Sequence, residues 1–94
     1  MTCDNNLFAA LVHTEKGTTC SASGFQDLST DQECAAAVNY AKSFNENARY
    51  AASGSWSVHP KGCYIWDDGH IHFNRHASGS NDPNTRSICN KGNY

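Results

Sequence analysis

Cys63-Tyr64-Ile65-Trp66-Asp67-Asp68-Gly69-His70-Ile71-His72-Phe73-Asn74 decides the fold class of this 94-residue chain. Asp68-Gly69 is the chemistry of a tight hairpin turn, because it supplies the positive φ angles that such turns require. After the turn, residues 70–74 alternate polar and apolar, the period of a half-buried strand. Before it, residues 63–66 form a short aromatic and aliphatic run, led in by a turn built on Pro60 and Gly62. The reading is a central hairpin of 63–66 with 70–74.

Upstream, Trp56-Ser57-Val58 is strand-like and is broken at His59-Pro60-Lys61-Gly62. Residues 45–55 are polar and small. Thr30-Asp31-Gln32-Glu33 is a capping box, with the Thr30 hydroxyl set to accept from the Glu33 amide and Glu33 to reach back to the Thr30 amide. Asp31 and Glu33 place negative charge where the helix dipole favours it. The spacing predicts a helix from about Asp31 to Phe44 or Asn45, with Cys34, Ala37, Val38, Ala41 and Phe44 on one face. Residues 17–24 read as a turn or an extended edge segment, and the apolar block 6–14 as a buried strand or a short helix. Downstream, a polar loop over residues 77–86 leads to a short closing strand, Ser87-Ile88-Cys89. There is no internal repeat. The expected fold class is α+β, one helix packed on a small antiparallel β-sheet of three to five strands. Residues 1–94 form a single small cysteine-rich domain, of which 1–16 are an N-terminal strand or arm.

Composition says how such a fold is held. Three Leu, three Ile, three Val and four Phe make a thin core, and apolar burial at roughly 25 cal/mol per Å² barely offsets the entropy of ordering the chain. The net charge of −2, with two Trp and four Tyr, argues against disorder. Cys3, Cys20, Cys34, Cys63 and Cys89 are widely spaced and contain no C-x-x-C pair. They read as a disulfide framework of an oxidising compartment rather than a zinc or redox site, so the expected localisation is secreted, extracellular or cell surface. The chain opens Met1-Thr2-Cys3 without a basic and apolar leader and reads as a mature segment with an added or retained Met. No run approaches the 18 apolar residues of a membrane span, and the near-neutral charge gives no footprint for nucleic acid. No Asn-x-Ser/Thr sequon is present.

Several constellations carry candidate chemistry. His70 and His72, two apart on a strand, point to one face. With His76 and the Asp67-Asp68 turn they contain the ligand types of a zinc or copper site. The alternative is a solvent-facing hairpin edge with His76 bonded to a loop carbonyl, and no cofactor is assigned. A nuclease reading of His72, Asn74 and His76 lacks phosphate-binding charge beyond Arg75 and Arg86. Cys63 is better explained as a bridge than as a nucleophile. The aromatic set weighs more. Tyr64 and Trp66 share one strand face; if Ile65 points to the core, both are exposed opposite His70 and His72. Together with Trp56, Asp67 and Asn74 they would then form a ligand surface for a glycan or a protein. The alternative places both Trp in the core.

The second half resembles short cysteine-rich modules of extracellular algal and protist proteins. The matching residues are Glu33-Cys34-Ala35-Ala36-Ala37, Pro60-Lys61-Gly62-Cys63-Tyr64, Phe73-Asn74, His76-Ala77-Ser78-Gly79 and Ser87-Ile88-Cys89. With Cys20 the likeness covers residues 17–91, and it implies secretion and disulfides rather than a mechanism. A looser similarity is to apple/PAN domains, through the helix that begins Glu-Cys-Ala and the strand with Cys-Tyr. That resemblance implies bridges Cys34–Cys63 and Cys20–Cys89, and binding of protein or glycan by analogy of fold. The chain lacks the second helix cysteine of that family and its partner. Cys3 is left unpaired or intermolecular. The expected function is a non-catalytic extracellular binding or adhesion module for a glycan or protein. Alternatives are a structural subunit whose partner is itself, assembling into a filament or coat, and a small metal-binding enzyme.

Overall fold

The computed structural model describes residues 11–91. Thr30 is extended and its hydroxyl accepts from the Glu33 amide at 3.1 Å, closing the first turn of a helix whose early residues include Asp31 and Glu33. The other half of the box differs from expectation. The Glu33 carboxylate accepts from the amide and hydroxyl of Ser29, at 2.9 and 3.1 Å, one residue before Thr30.

Nor is the helix a single piece. It runs as α1 (Asp31–Ala36) and α2 (Val38–Ala41), parted at Ala37. There ψ is −3°, and the amide is shared between the carbonyls of Glu33 and Cys34. Helical turns continue to Asn45, whose amide reaches the Ala41 carbonyl at 2.9 Å. The stretch therefore ends near its expected boundary but carries a bend, and Cys34, Ala37 and Ala41 all stay buried against the sheet.

The described strands are β1 (Leu11–His13), β2 (Gln26–Asp27), β3 (Arg49–Gly54), β4 (Gly62–Trp66), β5 (His70–Asn74) and β6 (Thr85–Asn90). Five of them lie in the order β1-β6-β4-β5-β3, and β2 pairs with β6 off this path. Cys63 pairs with Phe73 and Ile65 with Ile71 across the expected hairpin. Gly69 takes φ 101° in its turn, and a Cβ there would strike the Asn47 carbonyl.

The sheet is mixed rather than antiparallel, because β3 runs parallel to β5. β3 lies inside the polar stretch 45–55, whereas the strand-like residues 56–58 form no strand. With a register shift between Tyr50 and Ala52, β3 pairs only with β5 among the described residues and needs no regular apolar face. Residues 55–61 then pass over the end of β5 to reach β4. Both β4 and β2 lie on the side of β6 opposite β1: β4 pairs with residues 85–88, and β2 takes over at 89–90.

Register sorts the side chains onto two faces. Leu11, Cys63, Ile65, Ile71, Phe73 and Ile88 meet the helices. Tyr64, Trp66, His70, His72, Asn74, Ser87 and Cys89 belong to the other face. One disulfide lies on each face: Cys34–Cys63 clamps α1 to β4, and Cys20–Cys89 clamps the start of a short 3₁₀ turn (Ser21–Ser23) to β6. This is the pairing that the apple/PAN resemblance implies. The two bridges fit an oxidising environment of extracellular type. Cys3 lies outside the described residues. No described helix is long and apolar enough to cross a membrane.

Candidate functional site

The face away from the helices is a layer of aromatic and imidazole rings. Tyr64 stands at its centre and is only 1% exposed, although Ile65 points to the opposite core as expected. His72, directly across the ladder, stacks on Tyr64 with ring centroids 5.6 Å apart and planes inclined by 19°. His59, from the crossover loop, lies 5.7 Å from Tyr64 and sets its edge to Trp56 and Trp66, at 6.0 and 5.4 Å. Strand alternation thus places Tyr64 on the expected face. Loop 55–61 and the His72 ring remove it from solvent, so it is no surface ligand. Trp56 and Trp66 are half-buried, neither core nor open platform.

Electrostatics follow from this enclosure. Burial, with Asp82 nearby, pushes the Tyr64 phenol up to about 12. Burial first, and then the neighbouring His70 and His59, hold His72 below the usual imidazole range. His59 Nδ1 lies 3.3 Å from Asp82 Oδ2, an ion-pair distance without hydrogen-bond geometry. At the rim, His70 Nδ1 meets Asp68 Oδ1 at 2.9 Å, and the Arg49 guanidinium lies 3.0 Å from Nε2. Hydrogen bonds from the backbone and ring of His70 hold the Asp68 carboxyl below its usual range. On the helix face, burial and then Arg86 lower His13, whose Nδ1 is 2.7 Å from the Tyr40 hydroxyl.

The histidines do not converge on a metal. His76 Nδ1 accepts from the Ser78 and Gly79 amides, at 3.2 and 3.1 Å, and so organises its own loop. His70 and His72 are 6.5 Å apart, and no group of three His, Cys, Asp or Glu side chains among the described residues is placed to hold an ion. Asp67 is exposed and pairs with Lys16 at 2.8 Å, a surface contact of little energetic weight.

Asn74 is likewise not a ligand group facing solvent. It is 1% exposed and ties down the crossover loop. Its Nδ2 donates to the carbonyls of Trp56, His59 and Pro60, at 2.8, 3.0 and 2.9 Å. Its Oδ1 accepts from the amides of Trp56 and His76, at 2.8 and 3.1 Å.

What the sequence reading missed lies beyond the end of β5. An open groove of about 850 Å³ runs between β2 and the residues where β4 begins and β5 ends. Its apolar floor is Phe25, Leu28 and Phe73, and its charged rim carries Asp27, Lys61 and Arg75. Three separate segments build it, so no local pattern announces it. Gly62 is required in its wall: φ is 83°, and a Cβ would press on the Asp27 Cβ at 3.0 Å. Burial raises the Asp27 carboxyl above its ordinary range, with Lys61 opposing. The volume falls within the range of ligand sites, and an apolar floor with a few polar groups is their usual character. No family model, curated protein or solved structure matches this chain.

Proposed function

We propose that this chain is a secreted, non-catalytic binding module that holds a protein or glycan ligand in the groove between β2 and the open end of the β4–β5 hairpin. The groove is the observation that carries the reading. It is lined by the apolar side chains of Phe25, Leu28 and Phe73, of which half-buried Phe25 is the accessible part, and carries charges of both signs at its rim. The two bridges support an extracellular setting, as does the resemblance to cysteine-rich extracellular modules. The non-catalytic reading is supported by the occupation of the candidate reactive groups. Cys63 is bridged, His76 is spent on loop amides, and Asn74 holds the crossover.

Gln26 lines the groove and is exposed, so Gln26→Trp fills the groove without disturbing the core. Peptide and glycan arrays probed with the wild type and this variant test the site. The reading expects ligands that the wild type binds and Gln26→Trp does not. Ligands bound equally by both would place recognition elsewhere.

A further inference from the structure

We propose that the groove takes an extended peptide segment that pairs with the free edge of β2 and sets a basic side chain against Asp27. This rests on the groove being the binding site and adds the class of its occupant.

Backbone comes first. Among the described residues the two-residue β2 pairs with β6 alone, and both Gln26 and Asp27 line the groove, so an incoming strand can approach the edge of β2 away from β6. Addition of a strand to such an edge draws affinity from main-chain hydrogen bonds and specificity from alternate side chains. Phe25, half-buried, is the apolar lining residue that an incoming strand would cover, while Leu28 and Phe73, at 2% and 6% exposed, close the groove from the core side. Charge comes second. Asp27 is partly withdrawn from water, yet it is in none of the ion pairs among the described residues. Its pKa is raised by burial, with Lys61 opposing that only in part. An ammonium or guanidinium at that point would relieve the desolvated carboxylate. Asp31 adds negative charge on the same rim. Of the cations nearby, Arg75 donates to the Ser53 hydroxyl at 2.8 Å on β3, and Lys61, although it acts on Asp27, forms no ion pair with it. A saccharide is less well served. The groove's aromatics are Phe25 and the nearly buried Phe73, while Tyr64 lies under imidazole rings on the sheet face.

The test is selection of a phage-displayed library of random linear heptapeptides on the full, disulfide-intact chain, followed by fluorescence polarisation with the enriched peptides. The expected sequences set Arg or Lys among apolar residues and lose all affinity for Gln26→Trp. Asp27→Asn, which removes the charge but keeps the shape, weakens them about tenfold or more. Norleucine in place of the basic residue costs as much in the wild type and nothing further in Asp27→Asn. Enriched peptides that Gln26→Trp abolishes but Asp27→Asn leaves unchanged would retire the basic anchor and keep the groove. Glycans whose binding Gln26→Trp abolishes, with no enriched peptide, would replace the peptide by a saccharide. Concentration-dependent dimers lost in Gln26→Trp would make a second copy the occupant. Peptides that bind both proteins equally, or no ligand of any kind, would remove both the occupant and the site.

Discussion

Replacing Asn74 by Ala should cost this small domain a large fraction of its stability. The Asn74 amide makes five hydrogen bonds, three donated to loop carbonyls and two accepted from amides. Its two N–H groups serve three carbonyls, so at least one bond is shared. A typical bond contributes about 1 kcal/mol net, and a buried acceptor left without a donor costs about 1–3 kcal/mol. The Pro60 carbonyl is such an acceptor, since its contact with Asn74 is buried. The loop groups nearer the surface can turn to water. The sum is about 3–4 kcal/mol, against roughly 5–15 kcal/mol for a whole domain. Urea unfolding at 25 °C should show the midpoint falling by about 1–4 M with an unchanged slope of about 1–3 kcal/mol per M. Asn74→Asp is the control that separates hydrogen bonding from packing. It keeps the volume but sets a carboxylate against three carbonyl oxygens, so at neutral pH it should destabilise at least as much as Ala and recover in part when protonated. A loss below about 1 kcal/mol for Asn74→Ala, or an Asn74→Asp variant as stable as the wild type, would refute the keystone role.

Three further outcomes follow from the same structure. Removing the Cys20–Cys89 bridge by paired Ala substitution should cost about 4 kcal/mol, and Cys34–Cys63 slightly less, because the loops they close span 69 and 29 residues; equal or negligible losses in chemical denaturation would contradict this. Thr30→Ala should cost about 1 kcal/mol through loss of the cap on Glu33, and thermal melts indistinguishable from the wild type would count against that cap. Stability should fall as pH is lowered below about 6.5, the unfolded histidine range. His72 and His13 are held neutral in the fold, so the unfolded chain binds more protons there. Asp27 acts the other way, and only nearer its ordinary value of 3.8. Melting temperatures that are flat or rise from pH 7.5 to 5.5 would contradict the balance.

Local signals made part of this fold legible. The hairpin was readable because period-2 alternation and Asp68-Gly69 agree, and both are properties of adjacent residues. The helix start was readable for the same reason, through Thr30 and Glu33. β3 was not readable, because Ala51, Ala52 and Gly54 have little strand preference, and only the pairing with β5 makes them a strand. Alternation puts Tyr64 on the correct side of the sheet but cannot show that it is covered there. Alternation fixes a side chain's direction, whereas its cover comes from His59, five residues earlier, and His72, eight residues later. Asn74 looked like a ligand group for a similar reason: its partners lie up to 18 residues away. The groove depends on residues 25–31, 61–62 and 73–75 meeting beyond the end of β5, which periodicity cannot show.

Every step rests on a sheet clamped from both faces, with β2 held beside the end of β6 by the Cys20–Cys89 bridge and α1 held on β4 by Cys34–Cys63. Proteolysis of the non-reduced protein followed by mass mapping of its disulfides tests that directly. The expected peptide pairs are Cys20–Cys89 and Cys34–Cys63, with Cys3 in neither. Free thiols at those four positions, or a bridge joining Cys3 to any of them, would contradict it.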